Sequence, residues 1–275
     1  MLFSFELTAL GLGVGFLATL AGVGGGVILT PLLLLFFPDR PAGAIAAASL
    51  FVVALNTLSG SLAYHRLGQI DHKTAAAYGT AALPGIVLGS LGTSYVPRGA
   101  FDLLLGVVLL VLSAAILQPS ARAASRRLGG DEASFLPRRI VDRAGRVFEY
   151  QFRYRAGIWM CAGVASLAGF LGIGGGSIYV PLMIRFLRIP PHIATATSQG
   201  LLLITSSAAV LVHFLQGNLN HDLIAPLALG VVGGAQCGAV ASGRLRPAAL
   251  TRVLAGLLVL VSAKVLLQGM KALLG

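Results

Sequence analysis

The chain has 275 residues, of which 56% are hydrophobic and only 11% are charged, and its excess of Lys and Arg gives a formal net charge of +11. A soluble domain carries about 25% charged residues, so this composition excludes an ordinary water-exposed surface. The basic residues lie between long uncharged runs, where they orient membrane proteins rather than bind nucleic acid. We therefore predict an all-α, multi-pass membrane protein.

The first half of the chain, residues 1–117, opens with a hydrophobic run from Phe3 to Phe37. As one straight helix this run would be about 52 Å long at roughly 1.5 Å per residue, whereas the hydrocarbon core of a bilayer is only about 30 Å thick. Glycines interrupt the run near its middle, so we predict a helix followed by a second, shorter element. Three more helices are predicted near Ala44–Tyr64, Thr74–Tyr95 and Ala100–Leu117.

Residues 118–155 separate this half from the second half, residues 156–275. The stretch holds nine arginines against four acidic residues, which predicts a cytoplasmic, partly helical linker. The second half again opens with a long hydrophobic run, Ala156–Phe186. Three predicted helices follow it, near Ile193–Phe214, Leu223–Ser242 and Ala249–Leu274.

The two halves form a tandem repeat. The stretch Gly22-Val-Gly-Gly-Gly-Val-Ile-Leu-Thr-Pro-Leu32 matches Gly172-Ile-Gly-Gly-Gly-Ser-Ile-Tyr-Val-Pro-Leu182 at a spacing of 150 residues. After one gap the spacing becomes 149, at which His72 matches His221. Apolar composition alone does not explain a glycine block, a proline and a histidine in the same order. For the two histidines we favour exposed loop positions over a proton relay.

Two topologies fit this repeat. If each long first run is a single crossing, the halves are two parallel four-helix repeats. If each run is a hairpin, the halves are two inverted repeats of about five membrane segments each. Only the second option puts nearly all the basic loops on the cytoplasmic side, as the positive-inside rule requires. We therefore favour inverted repeats in the cytoplasmic (inner) membrane, with the linker inside and both termini outside.

The duplicated glycine block is the strongest candidate for a functional site. Glycine permits irregular backbone, and unpaired backbone inside a membrane is tolerated only where protein or a water-filled cavity satisfies it. A short helix that starts after such a break points free N–H groups and a positive dipole end at the cavity, which predicts an anion-binding site. The alternative is close helix packing through small residues. The candidate binding glycines are Gly24, Gly25, Gly26, Gly174, Gly175 and Gly176.

At these residues the sequence resembles the sulfite exporter TauE/SafE family. The resemblance rests on the Gly172–Leu182 stretch, on Ala194-Thr-Ala-Thr-Ser198 after it, and on the first-half counterparts Ala44–Ser49 and Gly68-Gln-Ile-Asp71. It covers both halves of the chain but not the Arg-rich linker. It implies the transport of small sulfur-containing anions such as sulfite, thiosulfate, sulfoacetate and related organosulfonates.

Polar side chains near the glycine blocks supply further candidate donors for an oxyanion, because hydroxyl and amide groups suit this chemistry. The alternative is that they form hydrogen bonds between helices or to the preceding helical turn. One position differs between the halves, since Ala48 stands where the second half has Thr197. The candidate substrate-binding side chains are Ser49 and Asn56 in the first half and Thr197, Ser198 and Gln199 in the second.

Together with the resemblance, these features predict a secondary transporter of small sulfur-containing anions rather than an enzyme. The sequence contains no catalytic constellation, no metal-ligand spacing and no cofactor-binding motif. Two alternatives stay open: transport of another small solute such as a carboxylate, and a non-transporting membrane scaffold. The expected partners are a small anionic substrate and the lipid bilayer, with a homo-oligomer open and nucleic acid excluded.

Overall fold

The computed structural model describes residues 2–21, 24–117, 135–241 and 247–274. The helices of the first half are α1 (Leu2–Ala21), α2 (Gly26–Phe36), α3 (Ala42–Leu67), α4 (His72–Thr93) and α5 (Arg98–Leu117). Those of the second half are α6 (Tyr154–Leu171), α7 (Gly176–Arg185), α8 (Pro191–Leu215), α9 (His221–Ala241) and α10 (Pro247–Leu274). Gly22, Arg244, Arg246 and the first part of the predicted linker, 118–134, lie outside the described residues.

Six of the described helices are long and apolar enough to cross a membrane, by length and composition: α3, α4, α5, α6, α8 and α10. The longest of the first half, α3, has 26 residues, or about 39 Å at roughly 1.5 Å per residue. The apolar parts of α1, α2 and α9 are shorter, and α7 has only 10 residues. The predicted class, a polytopic protein built from membrane helices, is confirmed.

The long first run of each half is divided at its glycine block. In the first half α1 ends at Ala21 and α2 begins at Gly26. In the second half α6 ends at Leu171 and α7 begins at Gly176. The prediction of a helix followed by a shorter element is therefore confirmed in both halves, and the described residues of each half form five helices.

Helices of one half pack mainly against helices of the other. In the pair α1 and α9, a Cβ added to Gly11 would lie 2.5 Å from the Leu227 carbonyl oxygen, and one added to Gly15 would lie 2.5 Å from that of Val231. The residue numbers of the contacting pairs increase in the same direction along α1 and α9, so these two helices are parallel and their backbones are in contact. The pair α4 and α6 packs in the same way, through Gly85 against Ala162 and Gly89 against Ser166.

The helices α3 and α8 occupy equivalent places in the two halves, and they run in opposite directions. The start of α3 at Gly43 contacts Asn218, just beyond the end of α8, whereas Gly60 near the end of α3 contacts Gln199 early in α8. The equivalent helices α5 and α10 are also antiparallel, since Gly106 contacts Leu266 and Ser113 bonds to Ala255. Parallel four-helix repeats would require equivalent helices to point the same way, so these directions favour the inverted arrangement.

The described part of the linker is a β-hairpin, which corrects the expectation of helix there. Strands β1 (Phe135–Val141) and β2 (Val147–Arg153) pair antiparallel, with Gly145 at a φ of 77° in the turn. Tyr150 and Phe152 point to one face of β2 and are buried in a cluster with residues of α4, α7 and α8. This period-2 alternation of apolar and polar residues is the strand pattern, and packing on the helix ends stabilises it.

A charge pair closes the hairpin turn. Asp142 accepts hydrogen bonds from the backbone N–H of Arg146 at 2.8 Å and from its Nε at 2.7 Å. Burial alone would raise the pKa of the Asp142 carboxyl, but the hydrogen bonds and charge of Arg146, with a further bond from Gln69, together lower it below its usual value. A carboxyl with a lowered pKa stabilises the fold at neutral pH, and that stabilisation is lost on acidification through its folded pKa.

Candidate functional site

Both glycine blocks adopt backbone conformations that glycine alone takes readily. Gly24 and Gly25 have φ angles of 80° and 95°, and Gly174 and Gly175 have φ angles of 72° and 75°. Such left-handed values cost other residues about 1–2 kcal/mol each. All four glycines are buried. The glycines therefore allow two short helices, α2 and α7, to begin inside the protein rather than at its surface.

The two breaks lie next to each other. A Cβ added to Gly26 would lie 2.4 Å from the carbonyl oxygen of Ile173, so the start of α2 touches the second glycine block directly. The side chain of Val53, in α3, packs against both blocks: it lies 3.5 Å from the Cβ position of Gly24 and 2.7 Å from that of Gly174. The structure thus brings the two candidate glycine blocks together against α3.

Ser49 lies at this junction, and its hydroxyl is already paired. The Thr30 hydroxyl of α2 lies 2.8 Å from Ser49 Oγ and donates to the carbonyl oxygen of Gly172, also at 2.8 Å. Thr30 and Ser49 are both fully buried. This hydroxyl pair therefore joins α2 and α3 to the second glycine block.

Asn56 presents a free hydrogen-bond donor in the same region. Its Oδ1 accepts a hydrogen bond from the Thr19 hydroxyl of α1 at 2.9 Å, which leaves the two donors of Nδ2 for other partners. Asn56 is 1% exposed, and its Nδ2 has no hydrogen-bond partner in the described part of the chain. A buried donor without a partner costs about 1–3 kcal/mol, so a ligand atom that accepts this bond would bind favourably.

Gln199 approaches the same face of α3 from α8. A Cβ added to Gly60, one helical turn after Asn56, would lie 3.0 Å from Gln199 Oε1. Gln199 is 2% exposed, and this oxygen likewise lacks a hydrogen-bond partner among the described residues. The structure therefore brings a free donor and a free acceptor into one region, on the equivalent helices of the two halves.

The remaining two candidates on α8 use their hydroxyls to hold backbone. Thr197 Oγ1 accepts a hydrogen bond from the backbone N–H of Asp71 at 3.1 Å, so it fixes the loop between α3 and α4. Ser198 Oγ donates to the carbonyl oxygen of Thr195 at 2.8 Å, the bond to the preceding turn that buried serines in helices often form. These hydroxyls are thus already engaged, in contrast to the amides of Asn56 and Gln199.

The family model described as sulfite exporter TauE/SafE matches residues 7–265, nearly the whole chain. The chain belongs to the sulfite exporter TauE/SafE family. It is 26% identical over 270 residues to the "Probable membrane transporter protein YunE" of Bacillus subtilis (strain 168), a match that covers 96% of this chain and 97% of the relative. It is 27% identical over 180 residues to a "Probable membrane transporter protein" of Haemophilus influenzae, which covers 65% of this chain and 60% of the relative. No solved structure matches the chain.

In this TauE/SafE family member a buried carboxylate that the sequence analysis did not single out lies beside the candidate site. Asp71 is 6% exposed and caps α4 by accepting a bond from the Thr74 backbone N–H at 3.0 Å. Its Oδ2 also accepts from the Tyr150 phenol at 3.0 Å and lies 3.3 Å from Arg138 Nε. Burial, together with the charge of Asp71, raises the pKa of the Tyr150 phenol, so the phenol stays protonated and keeps donating. The hydrogen bond from Tyr150 to Asp71 therefore connects the hairpin to the loop between α3 and α4, whose backbone also bonds to Thr197.

Sequence reasoning also missed Thr19 and Thr30, the hydroxyls that orient Asn56 and join the glycine blocks. Thr30 is the single hydroxyl of α2, and Thr19 is one of three hydroxyl residues in α1, so neither residue stands out from its own helix by sequence alone. For Asp71 a usable signal exists, because Asp at the position before a predicted helix is a typical N-cap.

The histidine of the first half, His72, is exposed at the start of α4. Its Nε2 lies 3.1 Å from Nδ1 of His65, a pairing that the sequence analysis did not predict. The side chain of its counterpart His221 lies outside the described residues. Within the described ranges, no three His, Cys, Asp or Glu side chains come together as a metal site would need.

Proposed function

We propose that this chain is a secondary transporter of small sulfur-containing anions, such as sulfite, thiosulfate, sulfoacetate or related organosulfonates, across the cytoplasmic membrane. The observation that carries the proposal is the free Nδ2 of Asn56, a buried donor on α3 three residues after the Val53 side chain that packs against both glycine blocks. Family membership and the names of the relatives support transport, and the name of the family supports the sulfur chemistry.

An anion suits this position for a physical reason. The helices α2 and α7 both begin at the glycine blocks, and a helix N-terminus carries unpaired N–H groups and a positive partial charge. Asn56, three residues after the Val53 that packs against both glycine blocks, adds a side-chain donor. Hydrogen bonds to charged groups are stronger than those between neutral groups. Together these donors stabilise a negative charge and disfavour a cation.

Two inverted repeats around one site would open that site to each side of the membrane in turn. The antiparallel contact of α3 with α8 supports this arrangement, since these helices occupy equivalent places in the two halves. The free oxygen of Gln199 lies where α8 meets Gly60 of α3, and Asn56 lies one helical turn before Gly60. We therefore propose that the substrate binds at this contact and that the two halves move against each other around it.

Uptake of radiolabelled sulfite and thiosulfate into proteoliposomes, with and without a proton gradient, tests the proposal. Asn56→Leu removes the free donor, and a lost hydrogen bond to a charged group costs about 1.5–3 kcal/mol, or roughly ten- to hundredfold in affinity. Thr205→Val is the matched control, because Thr205 is the repeat counterpart of Asn56 and its hydroxyl bonds to the carbonyls of Leu201 and Leu202 in its own helix. We expect the control to transport at nearly the wild-type rate.

The assay also separates the alternatives. Saturable uptake of a carboxylate such as acetate, without uptake of any sulfur-containing anion, would show that the protein transports carboxylates instead. If a folded, inserted protein moves no small anion at all, the proposal is wrong and a scaffold is favoured.

A further inference from the structure

The two free amide atoms at the contact of α3 and α8 have opposite hydrogen-bonding character. Asn56 Nδ2 is a donor, and Gln199 Oε1 is an acceptor with two lone pairs. Both residues are at least 98% buried, and neither atom has a partner among the residues that the structure describes. Inside a membrane protein such atoms lose the water that would otherwise pair with them, so a ligand that satisfies both would gain more than one that satisfies a single atom.

Asn56 and the residue that Gln199 Oε1 contacts are neighbours on α3. Gln199 Oε1 comes within 3.0 Å of the Cβ position of Gly60, and Gly60 follows Asn56 by four residues, or about 6 Å along the helix axis. Four residues is also the spacing that places two positions on the same helix face. A small molecule of a few heavy atoms that binds on this face of α3 would therefore reach both amides.

The orientation of the donor is set by the protein. The Thr19 hydroxyl donates to Asn56 Oδ1 at 2.9 Å, so the oxygen of that amide is already used and its nitrogen is left to donate to a ligand. The repeat counterparts do not reproduce this pair, because Asn56 corresponds to Thr205 and Gln199 corresponds to Leu50. The site is therefore asymmetric, with its side-chain donor on the first half and its side-chain acceptor on the second.

A fully deprotonated oxyanion satisfies only half of this pair. Its oxygens accept from Asn56 Nδ2, but they would turn lone pairs toward the lone pairs of Gln199 Oε1. An anion that carries its own O–H or N–H group next to the charge satisfies both atoms. Sites built to hydrogen-bond a substrate O–H reject analogues that lack it, because the buried protein group is then left unpaired.

We infer, building on the proposed function, that the anion recognised here carries a hydrogen-bond donor beside its negative charge. This class contains monoprotonated oxyanions, such as hydrogen sulfite, and sulfonates with a neighbouring hydroxyl group. Gln199 is the specificity-determining residue for that donor, and Thr19 positions the amide of Asn56.

Binding of a matched pair of sulfonates tests the inference. The pair 2-hydroxyethanesulfonate and ethanesulfonate carries the same charge and differs by one hydroxyl group. Saturable thermal stabilisation of the purified full chain reports binding of each ligand. We expect the hydroxylated ligand to bind about tenfold more tightly to the wild-type protein, as one satisfied buried acceptor implies.

Two variants separate the roles of the amides. Gln199→Met keeps a side chain of similar length without the oxygen, so the preference for the hydroxylated ligand should disappear. Asn56→Leu should weaken both ligands by the same factor and leave their ratio unchanged. The unfolding temperature of each variant without ligand shows whether the variant is folded. If a variant does not fold, the comparison of the two sulfonates on the wild-type protein still tests whether a hydroxylated anion is preferred.

A pH series with sulfite gives an independent measurement. Affinity for total sulfite should fall in proportion to the monoprotonated fraction as the pH rises above the pKa of hydrogen sulfite, and Gln199→Met should lose this dependence over the same pH range. Equal binding of both sulfonates, with sulfite bound equally well in both protonation states, would overturn the inference and leave anion transport standing. If no sulfonate, no form of sulfite and no thiosulfate gives a saturable shift or uptake, the inference and the proposed function both fail.

Discussion

Replacement of Gly26 by alanine should push the two glycine blocks apart. The added carbon would lie 2.4 Å from the carbonyl oxygen and 2.6 Å from the carbonyl carbon of Ile173, and 2.9 Å from Val53 Cγ2. Carbon atoms in contact normally lie about 3.5–4.0 Å apart, so this junction must open by about 1 Å. The nearest atoms belong to the backbone of the second glycine block, which cannot rotate away as a flexible side chain can.

Overpacking of this kind costs about 1–3 kcal/mol, and we expect the upper part of that range because the clash is with backbone. Gly163→Ala is the matched control. It makes the same substitution inside α6, where nothing lies within 4 Å of the added carbon. Alanine is favoured over glycine inside a helix by about 1 kcal/mol, so the control should be neutral or stabilising.

Thermal unfolding of the purified variants, measured beside initial transport rates in proteoliposomes, checks this prediction. Gly26→Ala should unfold at a lower temperature than the wild-type protein and transport more slowly, whereas Gly163→Ala should do neither. Equal unfolding temperatures for the two variants would show that the glycine blocks do not touch as described. Slower transport with an unchanged unfolding temperature would place Gly26 in the site rather than in the packing.

Three further predictions concern other contacts. Thr19→Val releases the amide of Asn56, and loss of one neutral hydrogen bond should weaken substrate affinity about two- to tenfold without changing the maximal transport rate. Tyr150→Phe removes the bond to Asp71 but keeps the ring, so the linker should be cleaved faster by added protease, whereas Tyr95→Phe, an exposed control, should behave as wild type. Reporter domains fused to the C-terminus and inserted into the linker should report opposite sides of the membrane, and the same side for both would contradict inverted repeats.

The division of the chain into helices could be predicted because its signals are local. Hydrophobic runs of membrane length, and a glycine block inside a run that is too long, are visible without any tertiary contact. The hairpin was not predicted, because the many arginines of the linker indicate a cytoplasmic segment but do not indicate its secondary structure. The alternation of Phe148, Tyr150 and Phe152 with Glu149 and Gln151 was present in the sequence, but a two-stranded hairpin is marginal alone and depends on the helix ends it packs against.

The site could be predicted only in part, because the state of a polar side chain depends on partners that are distant in sequence. Asn56 and Gln199 were both candidates from the sequence. Ser198, another candidate, bonds to the backbone of its own helix. The oxygen of Asn56 instead bonds to Thr19, 37 residues away in the sequence, and its nitrogen is left without a partner among the described residues. No pattern within a single helix predicts that difference.

The polar asymmetry of the two halves bears on how an anion would lie in the site. The two breaks have nearly the same backbone, with two consecutive left-handed glycines followed by a short helix, so backbone donors alone would hold an anion equally well in either orientation. The side chains remove this equivalence, because Asn56 and Gln199 have Thr205 and Leu50 as their counterparts. An anion with a hydroxyl group would then point its oxygen acceptors at α3 and its O–H at α8. On the inference drawn above, one fixed orientation of the anion would account for the difference between the two halves at these side chains.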